Sequence, residues 1–216
     1  MKKLTLAFSV ICLLALAGPA SAGIVFNNYP INGTIDAFNI THGFMVSDSF
    51  TLLAADVVTG VNFGAWENPG DTTTFVDWAI GTSPYDASLG SGTAAVSETF
   101  QFLNGYGYNI NSDTFSFAGA GISLAASTTY YLTLQNAVVT SGDSVYWDEN
   151  DGPGVDAWQG GDGGIGHLSG VFCPEATCAE SFQITDNGAV PEPGSLMLFG
   201  SGLLLLAGAW RRKASR

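Results

Sequence analysis

The sequence predicts an all-β protein, a single antiparallel two-sheet sandwich or jelly roll flanked by terminal segments of a different character. Three observations carry that expectation. Apolar and polar residues alternate with a period of two in runs such as "FMVSDSF", "SETFQFL" and "TYYLTLQNAVV", which sets one side of an extended chain on a core and the other on solvent. Between the runs lie "ENPGD", "GTSPYDASLGSG", "NGYG" and "SGDS", where glycine supplies positive φ and proline a fixed φ for turns. No stretch of the middle repeats its apolar residues at helical spacing.

Taken in chain order, the alternation predicts strands near Ile24–Asn28, Thr34–Asn39, Phe44–Leu53, Val57–Trp66, Thr73–Ile80, Ala94–Leu103, Thr114–Phe117, Thr129–Val139, Ser144–Trp147 and Ser181–Thr185. The stretch from Asp148 to Gly170, "DENDGPGVDAWQGGDGGIGHLSG", reads by composition as one long loop, and loops of that length tend to be functional. A single β domain is therefore expected over residues 23–188, between segments 1–22 and 189–216.

The first segment has the layout of an export signal. Lys2 and Lys3 precede an apolar run from Leu4 to Ala17, and Ala20-Ser21-Ala22 offers the small side chains that a signal peptidase pocket accepts, with cleavage after Ala22. Setting the two ends aside changes the charge picture. All six Lys and Arg residues lie in them, whereas 18 of the 19 acids lie between Gly23 and Ala189. Such a body repels nucleic acid and anionic surfaces, so its partners should be neutral or cationic. Two cysteines, Cys173 and Cys178 in "CPEATC", lie in this body, and in an oxidising compartment a disulfide is the natural reading of the pair. A zinc site would need two further ligands, and only His167 is near.

Candidate chemistry concentrates on the acidic loop. Asp148, Glu149, Asn150, Asp151, Asp156 and Asp162 present hard oxygen donors among glycines, as calcium requires. Gly152 falls where the third ligand of an EF-hand loop belongs, so that particular motif is broken. The other reading is a solvated acidic surface. Tyr146, Trp147 and Trp158 flank or enter the loop and could stack on the apolar faces of a sugar, whereas Trp66 and Trp78 sit in strand-like runs and belong in the core. No nucleophile elbow, zinc-binding His-Glu pair or phosphate-binding glycine loop is present. Paired carboxylates for glycoside hydrolysis are the one enzymatic arrangement that so acidic a body leaves open.

The last segment begins with Val190-Pro191-Glu192-Pro193, whose prolines cannot donate backbone hydrogen bonds and keep the chain extended. An uncharged run follows from Leu196 through Leu203, Leu204, Leu205 and Leu206 to Trp210, 15 residues in all, and Arg211, Arg212 and Lys213 come next. As a helix the run would be about 22 Å long, a short membrane span with a basic cytoplasmic stop. The ordered trio of Pro-Glu-Pro step, apolar run and Arg-Arg-Lys cluster resembles the PEP-CTERM sorting signal of exported bacterial proteins, and the same type of tail is catalogued as the C-terminal domain of ice-binding proteins. The resemblance implies recognition of the Pro-Glu-Pro step by a membrane enzyme, an exosortase, in an organism that makes exopolysaccharide. "FTLLAADVVTGVNFGAWENPGDTTTFVDWAIGTSP" and "TTYYLTLQNAVVTSGDSVYWDENDG" are similar to extracellular β domains often joined to that signal. The expectation is thus an exported envelope or matrix protein with a non-catalytic, exopolysaccharide-associated body, without cofactor unless calcium is one. A secreted glycan hydrolase is the alternative.

Overall fold

The computed structural model describes residues 22–34, 36–150, 157–161, 166–167 and 179–187. The signal core with Ala20, the cysteines Cys173 and Cys178, the acids Asp151, Asp156 and Asp162, and the whole sorting and anchor segment from Val190 to Lys213 lie outside these residues. Residues Gly23–Asn187 form one compact unit. Its strands are β1 (Ile24–Asn27), β2 (Ala37–Asn39), β3 (Met45–Thr51), β4 (Asp56–Glu67), β5 (Thr73–Gly81), β6 (Gly90–Ala95), β7 (Ser97–Leu103) and β8 (Asn109–Ser116). Then come β9 (Ile122–Leu124), β10 (Thr129–Val139), β11 (Tyr146–Asn150), β12 (Trp158–Gly160), β13 (Gly166–His167), β14 (Ala179–Glu180) and β15 (Phe182–Asp186). The expected all-β class holds, with no helix among the described residues.

All pairings are antiparallel and fall into two sheets. The larger is built around the long β4, which takes β15 and β11 on one side and β8 and β9 on the other; β7 continues from β8, β1 from β15, and β2 and β14 from β11. The smaller runs β13-β12-β3-β10-β5-β6. Aromatic side chains from both sheets meet between them: the rings of Phe50 on β3 and Phe182 on β15 are 6.2 Å apart, and those of Trp78 on β5 and Phe117 are 4.3 Å apart. Alternation along β4 explains the inward set, since Val61, Phe63, Ala65 and Glu67 share one side and Asn62, Gly64 and Trp66 the other. Trp147 is fully buried, 5.6 Å from the Phe182 ring, and its indole N–H donates to the Ser181 carbonyl. No Lys or Arg lies in Gly23–Asn187, so the sheets associate without an ion pair from either residue type.

The structure corrects three readings. Ala94–Leu103 is two strands, because the chain changes sheets at Val96: β6 pairs with β5 in the smaller sheet and β7 with β8 in the larger. The period of two runs through the crossing undisturbed. Thr34 does not begin a strand, since the Asn32 side chain accepts from the Thr34 N–H at 2.8 Å and Gly33 takes φ 62°, which makes this an Asx turn. The acidic stretch is not one loop: Asp148, Glu149 and Asn150 complete β11 and are buried, paired with β2 and β14. Further along, β12 and β13 form a pair that extends the smaller sheet from β3.

Candidate functional site

Three groups of side chains stand apart from ordinary packing. The first is aromatic, on the side of the larger sheet that faces away from the shared core. Trp66 and Tyr146 are direct partners across β4 and β11 and therefore point the same way. The Tyr106 ring stacks on Trp66 at 5.8 Å with a 21° interplanar angle, Tyr108 lies 5.8 Å from Trp66, and Tyr146 meets Tyr108 edge-on at 5.8 Å. Trp66 is buried beneath them while Tyr106 is 68% exposed. Tyr106 owes its place to Asn104, a buried residue whose side-chain oxygen accepts from the Tyr106 and Tyr108 N–H groups and whose amide donates to the Gly33 carbonyl at 3.1 Å. Gly107, with φ 89°, closes the turn through its N–H to the Asn104 carbonyl.

Asp148 fixes the floor of this patch. Its carboxylate accepts from the Trp66 indole N–H at 2.5 Å and from the Asn32 and Gly33 N–H groups at 2.9 Å each. Burial pushes its pKa up to about 6, against the pull of those three donors. Gly64 is required beside it, since a Cβ there would stand 2.8 Å from the Asp148 Cβ.

The second group is acidic and lies on the inward side. Glu98 on β7 and Asp113 on β8 are direct cross-strand partners, and Glu67 ends β4. Carboxylate oxygens of Glu67, Glu98 and Asp113 come within 4.8 Å of one another. Thr73, at the start of β5 in the other sheet, donates its hydroxyl to Glu67 at 2.5 Å and its N–H to Glu98 at 3.1 Å. Glu67 and Asp113 are fully buried, and neither Asp113 oxygen has a hydrogen-bond partner among the described residues. Burial, then the neighbouring Glu67 and Glu98, hold the Asp113 carboxyl well above the usual carboxylate range. Burial also pushes Glu67 up to about 7, with the Thr73 hydroxyl opposing and Glu98 reinforcing the rise. A second inward group joins Asp48 on β3 with Glu149 and Glu180, which face each other across β11 and β14; the Glu180 N–H donates to Asp48 at 2.7 Å. Burial, then Asp48 and the other acids around it, raise the Glu180 carboxyl.

The residues singled out in the sequence are thereby dispersed. Tyr146 lies in the aromatic patch, but Trp147 is a core residue, because it points inward where its neighbour points outward, and it cannot stack on a surface ligand. Trp158 sits in the smaller sheet, opposite Ser47 and His167, so the expected trio does not form one face. Of the residues offered as calcium ligands, Asp148 is committed to its three donors, the Asn150 amide nitrogen donates to the carbonyls of Asn28 and Pro30, and Asp151, Asp156 and Asp162 lie outside the described residues. Trp78 belongs to the core as expected. Tyr106, Tyr108, Glu67, Glu98 and Asp113 do not stand out in the sequence. The only sequence signal for the tyrosines is the turn "NGYGY", and the acids carry none, being brought together by strand pairing alone.

Among the described residues no helix is long and apolar enough to cross a membrane. No curated protein and no solved structure matches the chain. The family model of the PEP-CTERM protein-sorting motif matches residues 189–213, the span that holds Pro191, Glu192 and Pro193 and the basic cluster. With that match the chain is identified at its C-terminal region as a bearer of the PEP-CTERM sorting motif, which implies an exported, envelope-associated protein processed by an exosortase.

Proposed function

We propose that the chain is a non-catalytic envelope or matrix protein whose β body binds neutral polysaccharide through Tyr106, Tyr108, Tyr146 and the underlying Trp66. The stacked Tyr106–Trp66 pair carries the reading: an exposed ring held rigidly over a second ring offers a flat apolar platform to a sugar face. The charge of the body supports a neutral rather than an anionic ligand. In this reading signal peptidase cuts after Ala22, Cys173 and Cys178 form a disulfide, and the helix from Leu196 to Trp210 holds the body at the membrane until the exosortase acts at the Pro191–Pro193 step. The acids of the body favour binding over glycoside hydrolysis, since Glu67 and Asp113 face inward between the sheets rather than a cleft.

Affinity electrophoresis of the full chain through gels containing the producing organism's own exopolysaccharide tests the proposal. Tyr106→Ala removes about 1 kcal/mol of ring contact and should weaken retardation roughly fivefold, with the fold intact. Equal retardation of both proteins would overturn the assignment of the patch, and sugar released from the gel would favour the hydrolase.

A further inference from the structure

The acidic group between the sheets poses a separate problem. Glu98 and Asp113 are directly opposed like charges, an arrangement that ordinarily weakens a sheet. Asp113 is fully buried with both oxygens lacking a donor, and a buried carboxylate in that condition needs a proton or a cation. The body has no Lys or Arg to answer it. Glu67, Glu98 and Asp113 arrive from three different strands, with Asn111 two residues from Asp113 on the same side of β8. We propose that Glu67, Glu98 and Asp113 form a calcium site that joins the two sheets at the start of β5.

Donor chemistry and spacing favour this cation. All three ligands are hard oxygens, with no sulfur or imidazole among them, which selects calcium or magnesium over zinc or copper. The ligand oxygens lie within 4.8 Å of one another, close enough for one ion to touch all three, and a buried set of protein oxygens suits calcium better than magnesium, which gives up its waters reluctantly. Thr73 already ties Glu67 and Glu98 to the smaller sheet, so occupancy would fasten the end of one sheet to the other. The site lies on the inward side, distinct from the aromatic patch, and stands or falls independently of polysaccharide binding.

Calorimetric titration and thermal melting of the full chain, stripped with EDTA and buffered at pH 7.5, test the site with CaCl2 alone. One calcium bound per chain and a melting temperature raised by several degrees at 1 mM CaCl2 are expected. Glu98→Gln and Asp113→Asn should each abolish both effects, while the exposed Asp143→Asn should retain them. Asp113→Asn keeps the shape of the buried side chain, and the half-buried Glu98→Gln serves as a second variant if it fails to fold. No response of the wild type, a response that survives unchanged in both variants, or an equal response to MgCl2 overturns the assignment.

Discussion

Asp148→Asn should gain in stability over the wild type as the pH rises from 4 to 8. In the folded state burial raises the Asp148 carboxyl from 3.8 to about 6 even though Trp66, Asn32 and Gly33 donate to it. The folded protein therefore holds a proton that the unfolded chain has already released. Stability from this group is complete below pH 3.8 and is lost as pH rises through about 6. The rise from 3.8 to about 6 corresponds to about 3 kcal/mol. Asparagine matches the protonated acid in charge and titrates in neither state, but its amide nitrogen cannot accept the N–H that one carboxylate oxygen accepts, a loss that is the same at every pH. The gap between variant and wild type should thus move in the variant's favour by up to about 3 kcal/mol between pH 4 and pH 8. Urea unfolding followed by tryptophan fluorescence, with EDTA present at both pH values, measures the gap. A gap that does not change with pH would refute the reasoning, because it would mean that Asp148 titrates alike in folded and unfolded chains.

Two further outcomes follow from the core and the tail. Phe182→Ala removes a fully buried ring that lies 5.1 Å from Phe26 and 5.6 Å from Trp147, and it should lower the unfolding free energy by about 3 to 5 kcal/mol in urea titration. Glu192→Ala in the matched sorting motif should cause the unprocessed chain to accumulate, visible as a heavier band in immunoblots of membrane fractions; processing at the normal rate would count against recognition at this step.

The strands legible in the sequence are those whose apolar and polar residues alternate, even where both sides are covered, as in β3. The alternation places a strand at Thr129–Val139, and those residues are β10, in the middle of the smaller sheet. Where acids and amides follow one another along a strand, the pattern fails. Asp148, Glu149 and Asn150 look like loop because they are acidic or polar, yet they are buried in β11. The burial of the Asp148 carboxylate depends on donors far along the chain, 115 and 116 residues away at Gly33 and Asn32. Val96 shows a different blindness: alternation records which side of a strand is apolar but not which sheet the strand joins. Distance in sequence likewise hid the candidate sites. Trp66 and Tyr106 meet through the turn that Asn104 locks, and Glu67, Glu98 and Asp113 meet through the register of β4, β7 and β8.

A body assembled from two sheets without Lys or Arg also has a particular relation to proteolysis. Trypsin-type enzymes carry an acid in the pocket that receives the residue before the cut, and so demand a basic side chain there. From Leu4 to Trp210 this chain offers none. Its resistance to such enzymes would persist in urea, where most proteins lose theirs, because it arises from missing cleavage residues and not from a folded barrier. Digestion would be confined to the terminal segments, leaving the β body as a single fragment.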